Sequence, residues 1–61
     1  MITVVVADDH PLVRSGLRAV CDAAPDIELV GEAVDGRSAV EETLRTRPDV
    51  VLMDLDIPNG H

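Results

Sequence analysis

Three aspartates follow short apolar runs in this sequence, and their placement suggests phosphoryl chemistry assisted by a cation. Asp8 and Asp9 come directly after the run 2–7, and Asp54 follows the run 50–53. A buried strand fixes the position of the residue that follows it, so these acids are expected at strand ends. Clustered carboxylates repel one another unless some are protonated or a cation lies among them. Mg²⁺ suits such a group better than Ca²⁺, because it keeps several waters and accepts a phosphate oxygen.

The apolar pattern predicts strands and helices that alternate along the chain. The β-branched run 2–7 is typical of a strand buried on both faces, and Pro11 then suits the first turn of a helix. Pro25 and Pro48 each follow a stretch with helical spacing and end it. The predicted strands cover about 2–7, 27–33 and 49–54, and the predicted helices cover about 11–24 and 36–47.

This βαβαβ order predicts an α/β fold with a parallel, doubly wound sheet. Sites in such sheets lie at the carboxyl ends of the strands, where the strand order reverses. With the order 2-1-3, the first and third strands are neighbours. Asp8, Asp9 and Asp54 then converge on one crevice.

Size and charge limit the possible functions. The chain has 61 residues, which make one small domain at most, and its single cysteine excludes an internal disulfide. Its net charge of −7 repels nucleic acid phosphates and anionic lipid. No stretch approaches the roughly 20 apolar residues of a membrane span. We therefore expect a cytoplasmic protein that does not contact a membrane and does not bind DNA through this segment.

Three segments resemble a known family. The sequences VVVADDHPLVRSGL, EAVDGRSAVE and DVVLMDLDIP are similar to the N-terminal half of response-regulator receiver domains, the phosphoacceptor modules of two-component signal transduction. The spacing of Pro58 four residues after Asp54 belongs to the same pattern. The resemblance implies half of a flavodoxin-like fold, with residues 1–61 forming a partial receiver domain. The first segment resembles the NarL/FixJ type, whose receivers are usually joined to a helix-turn-helix domain that binds DNA.

The resemblance also implies a role for each acidic residue. Asp54 matches the phosphoacceptor, which a sensor histidine kinase converts to an aspartyl phosphate. Asp8 and Asp9 match the Mg²⁺-binding acids, Asp54 joins them at the metal, and Asp56 matches the position that offers a main-chain carbonyl. Such a module is a signalling phosphoprotein rather than an enzyme, and it regulates transcription through an output domain outside this chain. A complete receiver also carries a Ser or Thr after its fourth strand and a Lys after its fifth, which this sequence does not reach.

A phosphatase is an alternative interpretation. The triplet Asp54-Leu55-Asp56 also resembles the nucleophile motif of haloacid-dehalogenase-type phosphatases, where the first acid is phosphorylated and the second acts as general acid. That motif usually follows the first strand of its fold. It would also leave Asp8 and Asp9 without a role.

A third interpretation is a non-catalytic association fragment. The third strand, with apolar residues 50–53, would have an unpaired edge, which favours pairing with another chain. The first helix would also lack a neighbour. We therefore expect that the chain is part of a longer protein, or that it completes its fold as a homodimer or by exchanging elements.

Simpler structural roles exist for the same residues. Asp8 and Asp9 could cap the first helix and stabilise its dipole, and Asp54 could be a turn residue. His10 is interpreted as a loop residue beside the site rather than a ligand, because no partner stands at metal-ligand spacing. Cys21 is expected to pack as a small apolar residue.

The arginines are interpreted as solvated positions on the helix faces, without a functional role. Glu41 and Arg45 are spaced for an ion pair between residues four apart on a helix. The five arginines are Arg14, Arg18, Arg37, Arg45 and Arg47.

Overall fold

The computed structural model describes residues 1–54 and shows three strands alternating with two helices. The predictions made for Asp56, Pro58 and His61 lie outside the described residues. In chain order the elements are β1 (Ile2–Asp8), α1 (Pro11–Ala23), β2 (Ile27–Ala33), α2 (Gly36–Thr46) and β3 (Val50–Asp54).

The sheet is parallel, and its strand order is β2-β1-β3. This result confirms the α/β class and the predicted order 2-1-3. The central strand β1 pairs with β2 from Ile2 to Ala7, with a register shift between Val4 and Val5, and with β3 from Val4 to Asp8. Because β1 lies between two strands, its carboxyl end is flanked on both sides.

Local chemistry explains where the helices begin and end. Pro11 is the first residue of α1. At this position the main-chain N–H has no partner within the helix, so the N–H that proline lacks is not missed. Asp35 caps α2 by accepting a hydrogen bond from the Ser38 main-chain N–H at 2.7 Å, and the Ser38 hydroxyl oxygen accepts one from the Asp35 N–H. At its end, Arg47 has φ 47° and Pro48 follows, so the helical conformation stops there.

The buried core is small and centres on β1. One buried residue comes from each helix and one from β2: Cys21, Ala39 and Ala33. Cys21 therefore packs as predicted. The core residues of the central strand are Val4, Val5, Val6 and Ala7.

Much apolar surface is exposed on the outer side of these elements. Leu12 on α1 and Leu44 on α2 are 85% and 71% exposed, and Met53 on β3 is 56% exposed. Several apolar residues of both helices are therefore in contact with solvent rather than with the sheet. None of the helices in residues 1–54 is long and apolar enough to cross a membrane.

The predicted pair between Glu41 and Arg45 is wrong. Arg45 instead pairs with Glu42, which is one residue nearer in the sequence, with Nη2 and Oε1 2.6 Å apart, and it also donates a hydrogen bond to the Val30 carbonyl at 3.3 Å. Glu41 lies 3.8 Å from Arg37. The contact with β2 draws Arg45 toward the sheet, where Glu42 is the carboxylate within reach.

Candidate functional site

Asp8 is the last residue of β1, and its side chain is completely buried. Its Oδ1 accepts a hydrogen bond of 2.7 Å from the His10 main-chain N–H. Its Oδ2 is also buried and has no hydrogen-bond partner among residues 1–54. A buried carboxylate oxygen without a partner is costly in free energy, because it loses its hydration without gaining a replacement. This atom therefore has room for a ligand that residues 1–54 do not provide.

Asp9 and His10 lie beside Asp8 in the loop that connects β1 to α1. The His10 Nδ1 is 2.9 Å from Asp9 Oδ1 and 3.3 Å from Asp8 Oδ1. Among residues 1–54, these three side chains form a group whose possible ligand atoms all lie within 4.8 Å of one another. We call Asp8, Asp9 and His10 the acid–imidazole cluster.

Asp54 ends β3 directly beside this cluster. It is the register partner of Asp8 in the β1–β3 pairing, and it is exposed. The structure thus brings the ends of the two acid-tipped strands together at one edge of the sheet. The carboxylate of Asp54 is not part of the 4.8 Å group, which holds Asp8, Asp9 and His10.

The capping role considered for Asp8 and Asp9 is wrong. The N-cap residue of α1 is His10, whose side chain makes no capping hydrogen bond, and the first turn contains no acid. Asp8 bonds the N–H of His10, which precedes the helix. The two carboxylates therefore stand at the strand end rather than on the helix.

Arg14 also belongs to the site, contrary to the prediction that it is a solvated residue. Its Nη1 donates a hydrogen bond of 3.0 Å to the Asp8 main-chain oxygen, and its Nε lies 3.8 Å from Glu32 Oε1. Long side chains in helices point toward the N-terminus, so an arginine in the first turn of α1 reaches the end of the preceding strand. The position of Arg14 in the first turn of α1, directly after the strand end, is the sequence signal that could have identified it as a site residue.

Comparison with known proteins identifies the family. The sequence profile of the response regulator receiver domain matches residues 4–61. The chain belongs to the response-regulator receiver family. This assignment confirms the resemblance found in the sequence.

Relatives of this receiver include transcription regulators. The chain is 53% identical to the transcriptional regulatory protein LiaR of Bacillus subtilis over 90% of its length. It is 41% identical to the nitrate/nitrite response regulator protein NarL of Escherichia coli over 92% of its length. Each alignment covers 26% of the relative, so the chain spans about a quarter of these proteins.

A solved structure has the same fold as this receiver. It is the response regulator domain of Thermotoga maritima CheB, with a TM-score of 0.89 and 42% identity. The match covers 97% of this chain and 44% of that one. The chain is also 42% identical to a protein-glutamate methylesterase/protein-glutamine glutaminase of Thermotoga maritima, over 97% of its length and 17% of that protein.

Proposed function

We propose that this chain is the phosphoacceptor part of a response regulator, with Asp54 as the nucleophile. The observation that carries the proposal is the pairing of exposed Asp54 with buried Asp8 at the ends of neighbouring strands in a receiver fold. Exposure lets a donor reach Asp54, while burial keeps Asp8 fixed. Residues 1–61 would then be the N-terminal part of a receiver domain.

In the proposed step, a phosphoryl group moves from a nitrogen atom of the donor's imidazole to Asp54. A carboxylate oxygen of Asp54 forms a bond to phosphorus as the bond from phosphorus to the donor's imidazole nitrogen breaks. The leaving imidazole keeps the electron pair of that bond and takes a proton from solvent. The donor in this proposal is a phosphorylated histidine of a sensor kinase.

The residues present fit a divalent cation such as Mg²⁺. The buried, unpartnered Oδ2 of Asp8 and the adjacent carboxylate of Asp9 are oxygen donors of the kind Mg²⁺ prefers. Asp54 and the main-chain carbonyl of Asp56 complete the proposed ligand set. When bound, Mg²⁺ would neutralise negative charge on the phosphoryl group being transferred.

Arg14 and His10 hold the loop that carries these donors. Arg14 fixes the Asp8 main-chain oxygen from the side of α1, and the His10 main-chain N–H fixes Asp8 Oδ1. Together the two contacts orient Oδ2 without occupying it. The chain's own residues thus keep the acid in place before any ligand arrives.

The output of the protein is proposed to be transcriptional control by a separate DNA-binding domain. Relatives named as transcription regulators, LiaR and NarL, support this assignment. A net charge of −7 makes this chain a poor surface for DNA, so an additional helix-turn-helix domain would make that contact. The exposed apolar residues of β3 support a homodimer or an exchange of elements. A cytoplasmic location belongs to the same proposal, because the protein must meet both its kinase and its DNA.

We also propose that the chain is a signalling module rather than an enzyme with its own substrate. The similar methylesterase shares only 17% of its length with this chain. The solved CheB chain of the same organism that resembles this chain is a response regulator domain. The similarity therefore supports a shared regulatory part and gives no support for methylesterase activity.

Labelling by a small phosphodonor tests the proposal. The wild-type protein should take up one phosphoryl group in a Mg²⁺-dependent reaction, and Asp54→Asn should abolish the uptake. Asp56→Asn should label nearly normally, since only the main chain of Asp56 is used, whereas a haloacid-dehalogenase-type phosphatase would lose turnover. Labelling that survives Asp54→Asn would refute the assignment.

A further inference from the structure

β2 is the outermost strand on one side of the sheet, so its outer edge pairs with no strand among residues 1–54. Such an edge presents main-chain N–H and C=O groups that can pair with another extended chain. The register between β1 and β2 shifts between Val4 and Val5, and this shift leaves Val30 without a register partner on β1. In the described part of the chain, the outer edge of β2 is therefore unpaired, and the strand is irregular at Val30.

An arginine side chain supplies a hydrogen bond to the irregular position of β2. Arg45 Nη2 donates to the Val30 carbonyl at 3.3 Å, and the Arg45 side chain is 61% exposed. Glu42 holds the guanidinium through two hydrogen bonds, and Gly31 leaves room for this pair because an added Cβ would collide with Glu42 Oε1. The Val30 carbonyl therefore has a donor at the surface that another N–H could replace.

Carboxylates border the same strand. An open groove of about 400 Å³ lies between α1 and β2, and it is lined by Arg18, Asp22, Leu29, Val30, Gly31 and Glu32. Arg14 and Arg18 lie within 4 Å of Glu32, whereas Asp22 and Glu28 are exposed and form no ion pair within residues 1–54. Positive charge on a binding partner would complement these two acids.

The charge of β2 disfavours a second copy of this chain as the partner. In a two-fold antiparallel pairing centred on Val30, Glu28 of one copy would lie opposite Glu32 of the other. Like charges directly opposite each other on paired strands are destabilising. The edge thus fits an extended segment of opposite charge better than it fits itself.

We propose that the outer edge of β2 binds an extended segment of a partner protein that carries basic residues. The segment adds a strand to the sheet, and one of its main-chain N–H groups replaces Arg45 at the Val30 carbonyl. Main-chain pairing supplies affinity, and Asp22 and Glu28 select for positive charge. This surface lies on the side of β1 opposite to β3, so the proposal goes beyond phosphoryl transfer and does not use Asp54.

The competing explanation is that the irregular position and Arg45 only protect an edge strand from pairing. In that case Arg45→Met should make the protein self-associate through β2, and no added peptide should bind there. The docking proposal expects the association state to stay unchanged in Arg45→Met, because Glu28 and Glu32 oppose pairing between copies. Light scattering of the variant and the wild type compares these outcomes.

An NMR titration of the full-length protein with synthetic peptides tests the docking site directly. A peptide in which lysine and valine alternate should shift the amide signals of residues 28–32. Binding should weaken when glutamate replaces lysine, and also when proline replaces valine, because proline has no N–H to pair with the strand. This comparison uses the unmodified protein, so it does not depend on the folding of a variant.

Variants then separate main-chain pairing from charge. Arg45→Met should tighten binding of the lysine–valine peptide at least about threefold, because the peptide no longer displaces a donor. Arg37→Met removes the same charge from an exposed position of α2 and should change the affinity by less than about twofold. Glu28→Gln should weaken binding, and Glu41→Gln, an exposed acid of α2, should not.

Four results would overturn the proposal: no binding of the lysine–valine peptide, equal binding of the lysine–proline peptide, amide shifts confined to β3, or self-association of Arg45→Met. Equal effects of Arg45→Met and Arg37→Met would overturn the proposed replacement of Arg45 by a strand. None of these measurements involves Asp54, so failure here and failure of phosphoryl labelling are separate results.

Discussion

Asp8 and Asp54 are register partners at the carboxyl ends of neighbouring parallel strands, yet Asp8 is completely buried and Asp54 is exposed. The difference arises because β1 is flanked by both other strands, whereas β3 pairs only with β1 in the described part of the chain. One acid is therefore fixed and dehydrated, and the other is accessible. This difference in exposure suits the roles proposed above, in which Asp8 is a cation ligand and Asp54 is the nucleophile.

Asp8→Asn should stabilise the cation-free protein. The amide removes a buried charge and can still accept the hydrogen bond from the His10 N–H, so the free energy of unfolding should rise by about 1–3 kcal/mol. We expect millimolar Mg²⁺ to stabilise the wild-type protein through the proposed site, and Asp8→Asn should abolish that stabilisation. Urea denaturation with a chelator and with Mg²⁺ measures both effects. The exposed neighbour provides a control, since Asp9→Asn should change the cation-free stability little, and a loss of stability in Asp8→Asn would contradict the account.

Arg14→Met should lower the free energy of unfolding by about 1 kcal/mol, because the Asp8 main-chain oxygen loses its guanidinium donor. Arg18→Met is the matched control. Both arginines lie near Glu32, but the Arg18 side chain is 60% exposed against 21% for Arg14. Denaturant titration of the two variants should show the larger loss for Arg14, and equal losses would mean that Glu32 rather than Asp8 is the important partner.

Asp49 should make the stability of the protein depend on pH. Its Oδ2 accepts hydrogen bonds from the Thr3 main-chain N–H at 2.9 Å and from the Thr3 hydroxyl at 3.2 Å, joining the start of β3 to β1. The main-chain hydrogen bond, followed by the hydroxyl one, lowers the pKa of Asp49 below its usual value of 3.8. Since the folded state favours the ionised form, its stabilisation is complete above pH 3.8 and is lost as the pH falls through the lower folded pKa.

Thermal unfolding over a pH series tests this assignment. Asp49→Asn should lower the melting temperature at neutral pH, and its difference from the wild type should shrink below pH 3.8. Asp22→Asn, at an exposed position of α1, should follow the wild-type curve. A constant difference between Asp49→Asn and the wild type down to the lowest pH would show that the carboxylate charge is not responsible.

Gly16→Ala should raise the free energy of unfolding by about 0.5–1 kcal/mol. Gly16 lies inside α1, where glycine is costly, and an added Cβ would meet no atom within 4 Å in the described part of the chain. Gly36→Ala is a control with similar free space at the first position of α2, and it should gain less because it lies at a helix end. Chemical denaturation measures both. A destabilised Gly16→Ala would indicate that a partner packs closely on this face of α1.

Continuous apolar runs alternate with apolar residues at helical spacing, and this alternation was sufficient to predict the order of elements and the parallel sheet. A β-branched run such as 2–7 cannot present one polar face, so it had to be a central strand, and the acids after it had to stand at a strand end. The placement of Asp8, Asp9 and Asp54 at one edge follows from the order 2-1-3 alone. The order of elements depends on apolar patterning, which is a local property of the sequence, whereas the strand order belongs to the assembled sheet.

Tertiary packing decided what the individual side chains do. Burial of Asp8, the turn of the His10 ring toward two carboxylates, and the reach of Arg14 to a strand end depend on rotamers and on neighbours distant in sequence. Arg45 likewise pairs with Glu42 rather than Glu41, because its guanidinium also donates a hydrogen bond to the Val30 carbonyl of β2 on that side. Sequence spacing specifies which residues can meet, but competition among nearby partners and solvent determines which of them do.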